Sequence, residues 1–403
     1  MSQAEQTSQV TQETAGPPAG AAGGWLPVVM LALGTFCAGT DNFLIAGILS
    51  PISSSLHISV AAAGQFVTAY SLAYAIGAPI VMTVVRVRHP RRMLIAAISL
   101  FVAVNVLAAA APDAAVMAVA RILAGCLGGV YGPLAAATAA GSVPANRRGR
   151  ALAIVLGGTS VAALAGVPIG IWVGHLASWR ASFLFVAGLA VIAVIGIALF
   201  VRADGTLPAA PLRARVAPLR EPQVLLALLV TFAVLGAGFM IYTYLEPLFS
   251  VYPALGRNAV GPLIAVQGLG ALAGLAIGSS LVDRFGGRPV LLGCLGIFTA
   301  DLALIPLSTR TLATGVLFMF VWGVSAWAFV PAQQHSLIAS GTPGQAPMLL
   351  SLNGSAMYLG IALGSALGGV VTSAWGAGRL WMAVTAISAI GLVVALAGRR
   401  LSR

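Results

Sequence analysis

The stretch GTFCAGTDNFLIAGILSPI, residues 34–52, reads as the body of an apolar helix interrupted by Asp41 and Asn42. A carboxylate there has two readings. Either the segment lies outside a membrane and Asp41 is a solvated surface group, or it crosses a membrane and Asp41 sits where charge is costly. Composition decides between them. Of 403 residues, 59% are hydrophobic and 7% charged, where soluble domains carry roughly 25% charged residues. The chain reads as an all-α membrane protein.

A bilayer core of roughly 30 Å, at a rise of 1.5 Å per residue, needs about 20 apolar residues per helix. Twelve such runs are present, at 25–49, 60–85, 93–111, 114–140, 150–174, 182–201, 223–248, 259–282, 289–308, 311–338, 347–373 and 378–397. The net charge of +12 would point to nucleic acid in a soluble protein. Its distribution points elsewhere. All 21 basic residues are Arg, and they gather in alternate loops. Arg86, Arg88, Arg91 and Arg92 follow the second run, and Arg147, Arg148 and Arg150 the fourth. Arg202, Arg213, Arg215 and Arg220 follow the sixth, Arg284 and Arg288 the eighth, and Arg399, Arg400 and Arg403 come last. The other side holds only Arg180, Arg257, Arg310 and Arg379. The positive-inside rule then places both termini and the Arg-rich loops in the cytoplasm of a cell inner or plasma membrane. The basic charge is a topology signal, and no nucleic-acid partner is expected.

Residues 1–24, polar and then rich in Gly, Ala and Pro, lack the basic start of a signal peptide and read as a disordered cytoplasmic tail. Cys37, Cys126 and Cys294 all lie within apolar runs, which suggests no disulfide framework. The Pro- and Arg-rich segment 202–222 is the longest internal connection and divides the runs six and six. The expected organisation is an N-terminal six-helix bundle at 25–201, the linker 202–222 and a C-terminal bundle at 223–403. A weak repeat at an offset of 197 supports it: Gly77 aligns with Gly274, Arg91 with Arg288 and Leu94 with Leu291. Parallel six-helix repeats with a midplane site between them are a known transporter plan.

Several motifs resemble those of the major facilitator superfamily, within it the twelve-helix drug:proton antiporters and sugar-efflux relatives. GSSLVDRFGGRP (278–289) looks like that superfamily's cytoplasmic loop signature, and RILAGCLGG (121–129) is similar to its fourth-helix Arg motif. GGTSVAALAGVPIG (157–170) with WRASF (179–183) resembles the fifth-helix antiporter motif. YTYLEP (242–247), LNGSAMYLGIALGSALGG (352–369) and GTDNF (39–43) are similar to the seventh-, eleventh- and first-helix patterns. The resemblance covers nearly the whole chain after the tail. It implies the major facilitator fold, two pseudo-symmetric six-helix bundles, usually monomeric. One departure stands out. The first cytoplasmic signature carries an acid near residue 86 in that family, whereas VVRVRHPRR (84–92) has none.

Within this frame Asp41 is the first candidate for proton coupling. A charge at mid-bilayer costs roughly 2.5–3.5 kcal/mol and should face the bundle interior or a wet cavity. Burial disfavours a carboxylate's charged form and solvation restores it, the swing a proton-coupled carrier needs. Arg121, on a fourth helix that the resemblance places at the cavity, keeps its proton; it is expected to compete for Asp41 or for an anionic substrate group. Glu246 reads as a second proton site, a substrate contact or an acid solvated at the mouth. Asp301 is expected to pair with a polar neighbour. Gly278, Asp283, Arg284 and Arg288 form the expected conformational latch. Gly157, Gly166, Pro168 and Gly170 on the fifth helix, with Gly360 and Gly364 on the eleventh, suit close packing. Candidate cavity residues are Asn42, Phe43, Gln65, Tyr70, Phe239, Tyr242, Tyr244, Trp327 and Asn353.

The expected function is proton-coupled antiport, by alternating access, that exports a small neutral or weakly charged amphipathic molecule such as a drug or antibiotic. The partners are that substrate, protons and the lipid bilayer. The alternative is an uncoupled or exchange-type facilitator of sugars or nucleosides. A membrane enzyme is disfavoured: His57, His89, His175 and His335 sit in loops or near span ends, there is no Lys, and no HExxH occurs. No phosphate-binding GxxxxGK[ST] occurs either, so the proton gradient replaces ATP and no cofactor is expected. The short loops leave no room for the signalling domain of a sensor or scaffold. Topology is directly testable: alkaline phosphatase inserted at Arg213 should be inactive in cells and the same enzyme inserted at Arg257 active. The reverse pattern would invert the orientation.

Overall fold

The computed structural model describes residues 24–84, 89–202, 217–252, 259–342 and 345–398. The expected tail apart from Gly24, most of the 202–222 linker and the Arg86 departure lie outside these. Among the described residues, twelve helical spans follow one another, each an apolar run of the sequence. In the N-terminal half they are α1 (Leu26–Leu44), α2 (Val60–Val84), α3 (Pro90–Ala110), α4 (Ala114–Gly141), α5 (Arg148–Leu176) and α6 (Trp179–Phe200). In the C-terminal half they are α7 (Pro222–Thr243), α8 (Val260–Phe285), α9 (Gly287–Ala303), α10 (Leu312–Ala339), α11 (Ala346–Trp375) and α12 (Leu380–Ala397). Among the described residues, eleven spans are long and apolar enough to cross a membrane as single helices. The remaining one, α9, stops at Leu304 and resumes as Ile305–Ser308, so the expected 289–308 run is two pieces.

Proline explains the breaks. Its ring removes the donor that the carbonyl four residues earlier would use. Pro306 removes the N–H that would continue the ladder from the Leu302 carbonyl, and α9 breaks. Pro51 does the same to Gly47, where α1 passes through the 3₁₀ turn Ile45–Gly47 before resuming as Leu49–Ser55. Pro247 does it to Thr243, where α7 ends before the short helix Leu245–Ser250. In α5, Pro168 faces Leu164 inside a π turn, Ala162–Gly166. Pro133 and Pro331 lie inside α4 and α10 without interrupting them.

The weak sequence repeat corresponds to a structural one. Gly77 of α2 lies against the Cys126 backbone of α4, and its counterpart Gly274 of α8 lies against the Val324 backbone of α10. Arg91 donates to the Ala198 carbonyl at the end of α6; Arg288 donates to the Ala395 carbonyl at the end of α12. The same offset relates donors and acceptors. In each half the second span packs on the fourth, the third on the sixth and the first on the sixth.

The halves meet through α2 against α11 and α5 against α8. Gly268 of α8 approaches the Leu164 backbone so closely that an added Cβ would lie 2.6 Å from its Cα. Among the described residues, the hydrogen bonds and ring contacts that join the halves lie at mid-span or at the Arg-poor end. None of these lies at the Arg-rich end. The structure is closed on the Arg-poor side.

The glycine expectations divide. Gly166 and Gly170 sit against Thr40 and Leu44 of α1, and Gly360 and Gly364 against the Phe232 and Gly236 carbonyls of α7. Gly157 corrects the sequence reading: it faces open space, and its neighbour Gly158 makes the close approach, to Thr35 and the Ala32 carbonyl. Adjacent glycines should therefore respond oppositely. Gly157→Ala should leave thermal unfolding in detergent unchanged or raise stability by up to about 1 kcal/mol through helix propensity. Gly158→Ala should lower it by about 1–3 kcal/mol through overpacking. Equal effects would mean that α1 and α5 do not pack this closely.

Candidate functional site

Asp41 and Arg121 come together. An Arg121 Nη1–H donates to Asp41 Oδ1 at 2.7 Å, and Nη2 reaches the Asp41 backbone carbonyl at 3.3 Å. The pair joins α1 to α4 and is sealed: Asp41 is 0% and Arg121 1% exposed. Its walls are aromatic. The guanidinium carbon lies 4.6 Å from the ring centre of Tyr70 on α2 and 5.8 Å from that of Phe183 on α6. A cation over such faces is stabilised by the ring quadrupole. Four of the six N-terminal spans thus build one charge site.

The site is incomplete as a hydrogen-bond network. Asp41 Oδ2, Arg121 Nε and the neighbouring Asn42 Oδ1 have no partner among the described residues. Oδ1 of the carboxylate is held by Arg121, whereas no described residue bonds Oδ2. A proton can be added at that atom without first breaking a protein bond.

Two residues along the chain, Phe43 faces the other half. Its ring lies 5.7 Å from Phe239 and 5.9 Å from Tyr242 of α7, and Tyr242 meets Trp322 of α10 edge-on at 6.3 Å. Tyr242 Oη, buried, has no partner among the described residues. A second contact crosses the interface at mid-span, where Tyr74 of α2 stacks on Tyr358 of α11 with ring centres 3.5 Å apart.

Several sequence-chosen residues fall elsewhere. Tyr70 is fully buried beneath Arg121 and donates to the Ala38 carbonyl, so it walls the ion pair and not a cavity. Tyr244 is fully buried at the Arg-poor end, its hydroxyl within hydrogen-bond reach of the Ser365 and Ala61 carbonyls. Gln65 is beside it and donates to Ala61. Asn353 is half-buried and accepts the Thr231 hydroxyl at 2.6 Å. Trp327 is half-buried and outside the aromatic cluster; Trp322 takes that place. Tyr74, Tyr358 and Trp322 were not singled out by sequence, although Tyr74 lies one turn beyond Tyr70 and Tyr358 within the eleventh-helix motif.

The remaining acids also depart from expectation. Glu246 is 8% exposed and accepts the Ser50 N–H from the other half, so it is not a solvated mouth acid. Asp301 is half-buried, and its Oδ2 has no partner among the described residues, so the expected polar pairing is not formed at that atom. Asp283 and Arg284 are exposed beside the positive-φ Gly286, and neither makes an ion pair among the described residues. Gly278 packs against Ala328 of α10.

Comparison with known proteins agrees with this architecture. The Major Facilitator Superfamily profile matches residues 31–346. The inner membrane transport protein YdhP of Escherichia coli is 33% identical over 372 residues, 92% of this chain and 94% of YdhP. A chloramphenicol resistance protein of Streptomyces lividans is 34% identical over 263 residues, 64% of this chain and 67% of its own length. Among solved structures, a bacterial homolog of the human lysosomal transporter Spinster, in an inward-facing and occupied conformation, superposes with a TM-score of 0.68 at 16% identity. That match covers 93% of this chain and 96% of the other. The nucleoside transporter NupG gives a TM-score of 0.67 at 13% identity, over 93% and 99% of the two chains. Both likenesses concern the fold alone. The paired six-helix bundles, the profile match and the full-length relative together place this chain in the Major Facilitator Superfamily, as a multi-pass membrane transporter and not an enzyme.

Proposed function

We propose that this transporter is a proton-coupled exporter of small, neutral or weakly charged amphipathic molecules. Its Arg-rich end and both termini lie in the cytoplasm of the cell membrane, and it works as a monomer driven by the proton gradient, without a cofactor. The observation that carries the reading is the adjacency on α1. Asp41, in the sealed ion pair, and Phe43, in the aromatic contact with α7, are two residues apart on one helix. Whatever moves Phe43 moves Asp41. The chloramphenicol resistance relative supports an efflux direction.

The step follows from charge. With Asp41 ionised, Arg121 is compensated and the pair can stay dry. A proton on Oδ2 neutralises the carboxylate and leaves the guanidinium uncompensated in a low-dielectric site, which is costly. The protonated form therefore favours an arrangement in which water reaches Arg121. Substrate binding near Phe43, Phe239 and Tyr242 and proton loss at Asp41 then favour the same closed pair. Asn42, with its unpartnered Oδ1, supplies a polar contact between the two sites. Gln65, Asn353 and Trp327, which the structure places away from the aromatic cluster, have no part in this step. The latch residues Asp283, Arg284 and Arg288 act in the opposite conformation, where they close the cytoplasmic end.

In liposomes carrying an internal pH dye, chloramphenicol or a related probe should drive proton movement with wild-type protein and not with Asp41→Asn. Substrate-for-substrate exchange should survive in the mutant. Equal coupling in Asp41→Asn would make the pair structural, and substrate movement without protons in the wild type would make the protein a facilitator. Phe239→Ala should raise the half-saturating concentration about fivefold, the loss of roughly 1 kcal/mol of ring contact, with the proton-to-substrate ratio unchanged. A changed ratio at constant affinity would remove Phe239 from the binding site.

A further inference from the structure

We propose that Tyr74 is a positioning residue for Arg121, and that its stack on Tyr358 makes the seal over the Asp41–Arg121 pair depend on contact between the two halves at mid-span. The inference deepens the coupling reading above, in which water reaches Arg121 during the cycle. On the α2 side the guanidinium is covered by Tyr70, whose fully buried ring has its centre 4.6 Å away. Tyr70 is itself held weakly. Its hydroxyl lies 3.5 Å from the Ala38 carbonyl, at the outer limit of a hydrogen bond. The ring next to it is Tyr74, one turn along α2, with centres 6.3 Å apart.

One face of α4 explains this arrangement. Arg121, Gly125, Gly128 and Gly132 follow one another at spacings of four, three and four residues, which puts them on one side of the helix. A Cβ on Gly128 would lie 2.8 Å from the Tyr70 hydroxyl and 3.4 Å from the Tyr74 ring, and one on Gly132 would lie 3.3 Å from the Tyr74 hydroxyl. The glycines are a floor on which the two rings of α2 rest, and the floor begins one turn beyond Arg121. On either side of Tyr74 the helices are pinned backbone to backbone, Gly125 against the Tyr70 carbonyl and Gly77 against Cys126. With α2 fixed on α4 in this way, the Tyr74 side chain is the part that can move.

The other face of Tyr74 is covered by the C-terminal half. Tyr358 of α11, itself buried, stacks on it with ring centres 3.5 Å apart and planes 14° apart. Two rings on their own prefer an offset or edge-on arrangement, so closure of the halves, and not ring attraction, keeps this contact. Tyr74 touches the glycine floor, the ring that covers Arg121 and the opposite half at once. When α11 withdraws, Tyr74 loses the support of one whole face, Tyr70 loses its neighbour, and the guanidinium opens to water. The two aromatic contacts across the halves then have different duties. Phe43 links Asp41 to the cluster on α7, whereas Tyr358 makes the cover of Arg121 depend on whether the halves are together.

The test reads access to Arg121 and not proton movement, so it and the coupling reading can fail independently. Full-length protein in detergent, without substrate, is treated with phenylglyoxal, which modifies guanidinium groups, and modification at Arg121 is followed by peptide mass spectrometry. Wild-type Arg121 should react slowly beside the exposed Arg284. Tyr358→Leu, a change in the opposite half, should raise the Arg121 rate on the order of tenfold, the effect of one lost ring contact. Tyr74→Leu should do the same, and the double variant should add little to either single change, because both break one contact. Tyr358→Phe keeps the ring and should match the wild type. Cys294, buried in α9, is the control for general loosening: a maleimide should modify it no faster in any variant. An Arg121 rate that is unchanged in Tyr358→Leu, or raised together with that of Cys294, overturns the inference. So does a Tyr358→Phe as reactive as Tyr358→Leu. Should Tyr74→Leu fail to fold, Tyr358→Leu and Tyr358→Phe carry the test unaided.

Discussion

The ion pair between Asp41 and Arg121 is the constraint from which the rest of the N-terminal bundle follows. Two opposite charges are removed from water, and neither is tolerable there without the other; removing one partner of such a pair costs about 3–5 kcal/mol. The cost is met by geometry: a 2.7 Å bond between the side chains, a second reach to a backbone carbonyl, and two aromatic faces on the guanidinium. Four spans must hold their positions for that arrangement to exist. The same site leaves an unpartnered carboxylate oxygen and an unpartnered guanidinium nitrogen.

Around this fixed point the helices are interrupted at defined places. Four proline-linked breaks fall at the Arg-poor ends of α1, α7 and α9 and inside α5, where one half meets the other or a helix must bend. Small residues allow backbones to approach across α1 and α5, α7 and α11, and α5 and α8. Close backbone contact through few side chains suits bundles that pivot as units, because little interdigitation has to be undone. The paired Arg91 and Arg288 contacts show that each half fastens the start of its third span to the end of its sixth in the same manner. Each half is therefore braced as a body of its own.

Much of this was legible in the sequence, for physical reasons. Apolar runs of bilayer length correspond to the helices. Asp41 and Arg121 stood out because charge inside such runs is rare and costly. Their pairing was one of two partners open to Arg121; which of the two forms depends on how α1 and α4 are rotated against each other. Rotation also explains the misplaced residues. Trp327 and Trp322 are five positions apart, about 140° around a helix, so choosing the wrong one selects the wrong face. Gly157 and Gly158 differ by one position and by everything they touch. Glu246 looked solvated because it lies near a span end; the partner half that covers it is separated by 196 residues. Each of these errors concerns tertiary register, which composition and periodicity do not encode.

The central claim is that Asp41 changes protonation as the transporter binds its cargo. The most direct measurement is infrared difference spectroscopy on the protein in lipid, recorded on addition of chloramphenicol as probe, with Asp41→Asn as the reference. The account predicts loss of a protonated carboxyl band in the wild type that is missing from the mutant. A carboxyl spectrum that is unchanged on binding, or identical in the two proteins, would contradict it.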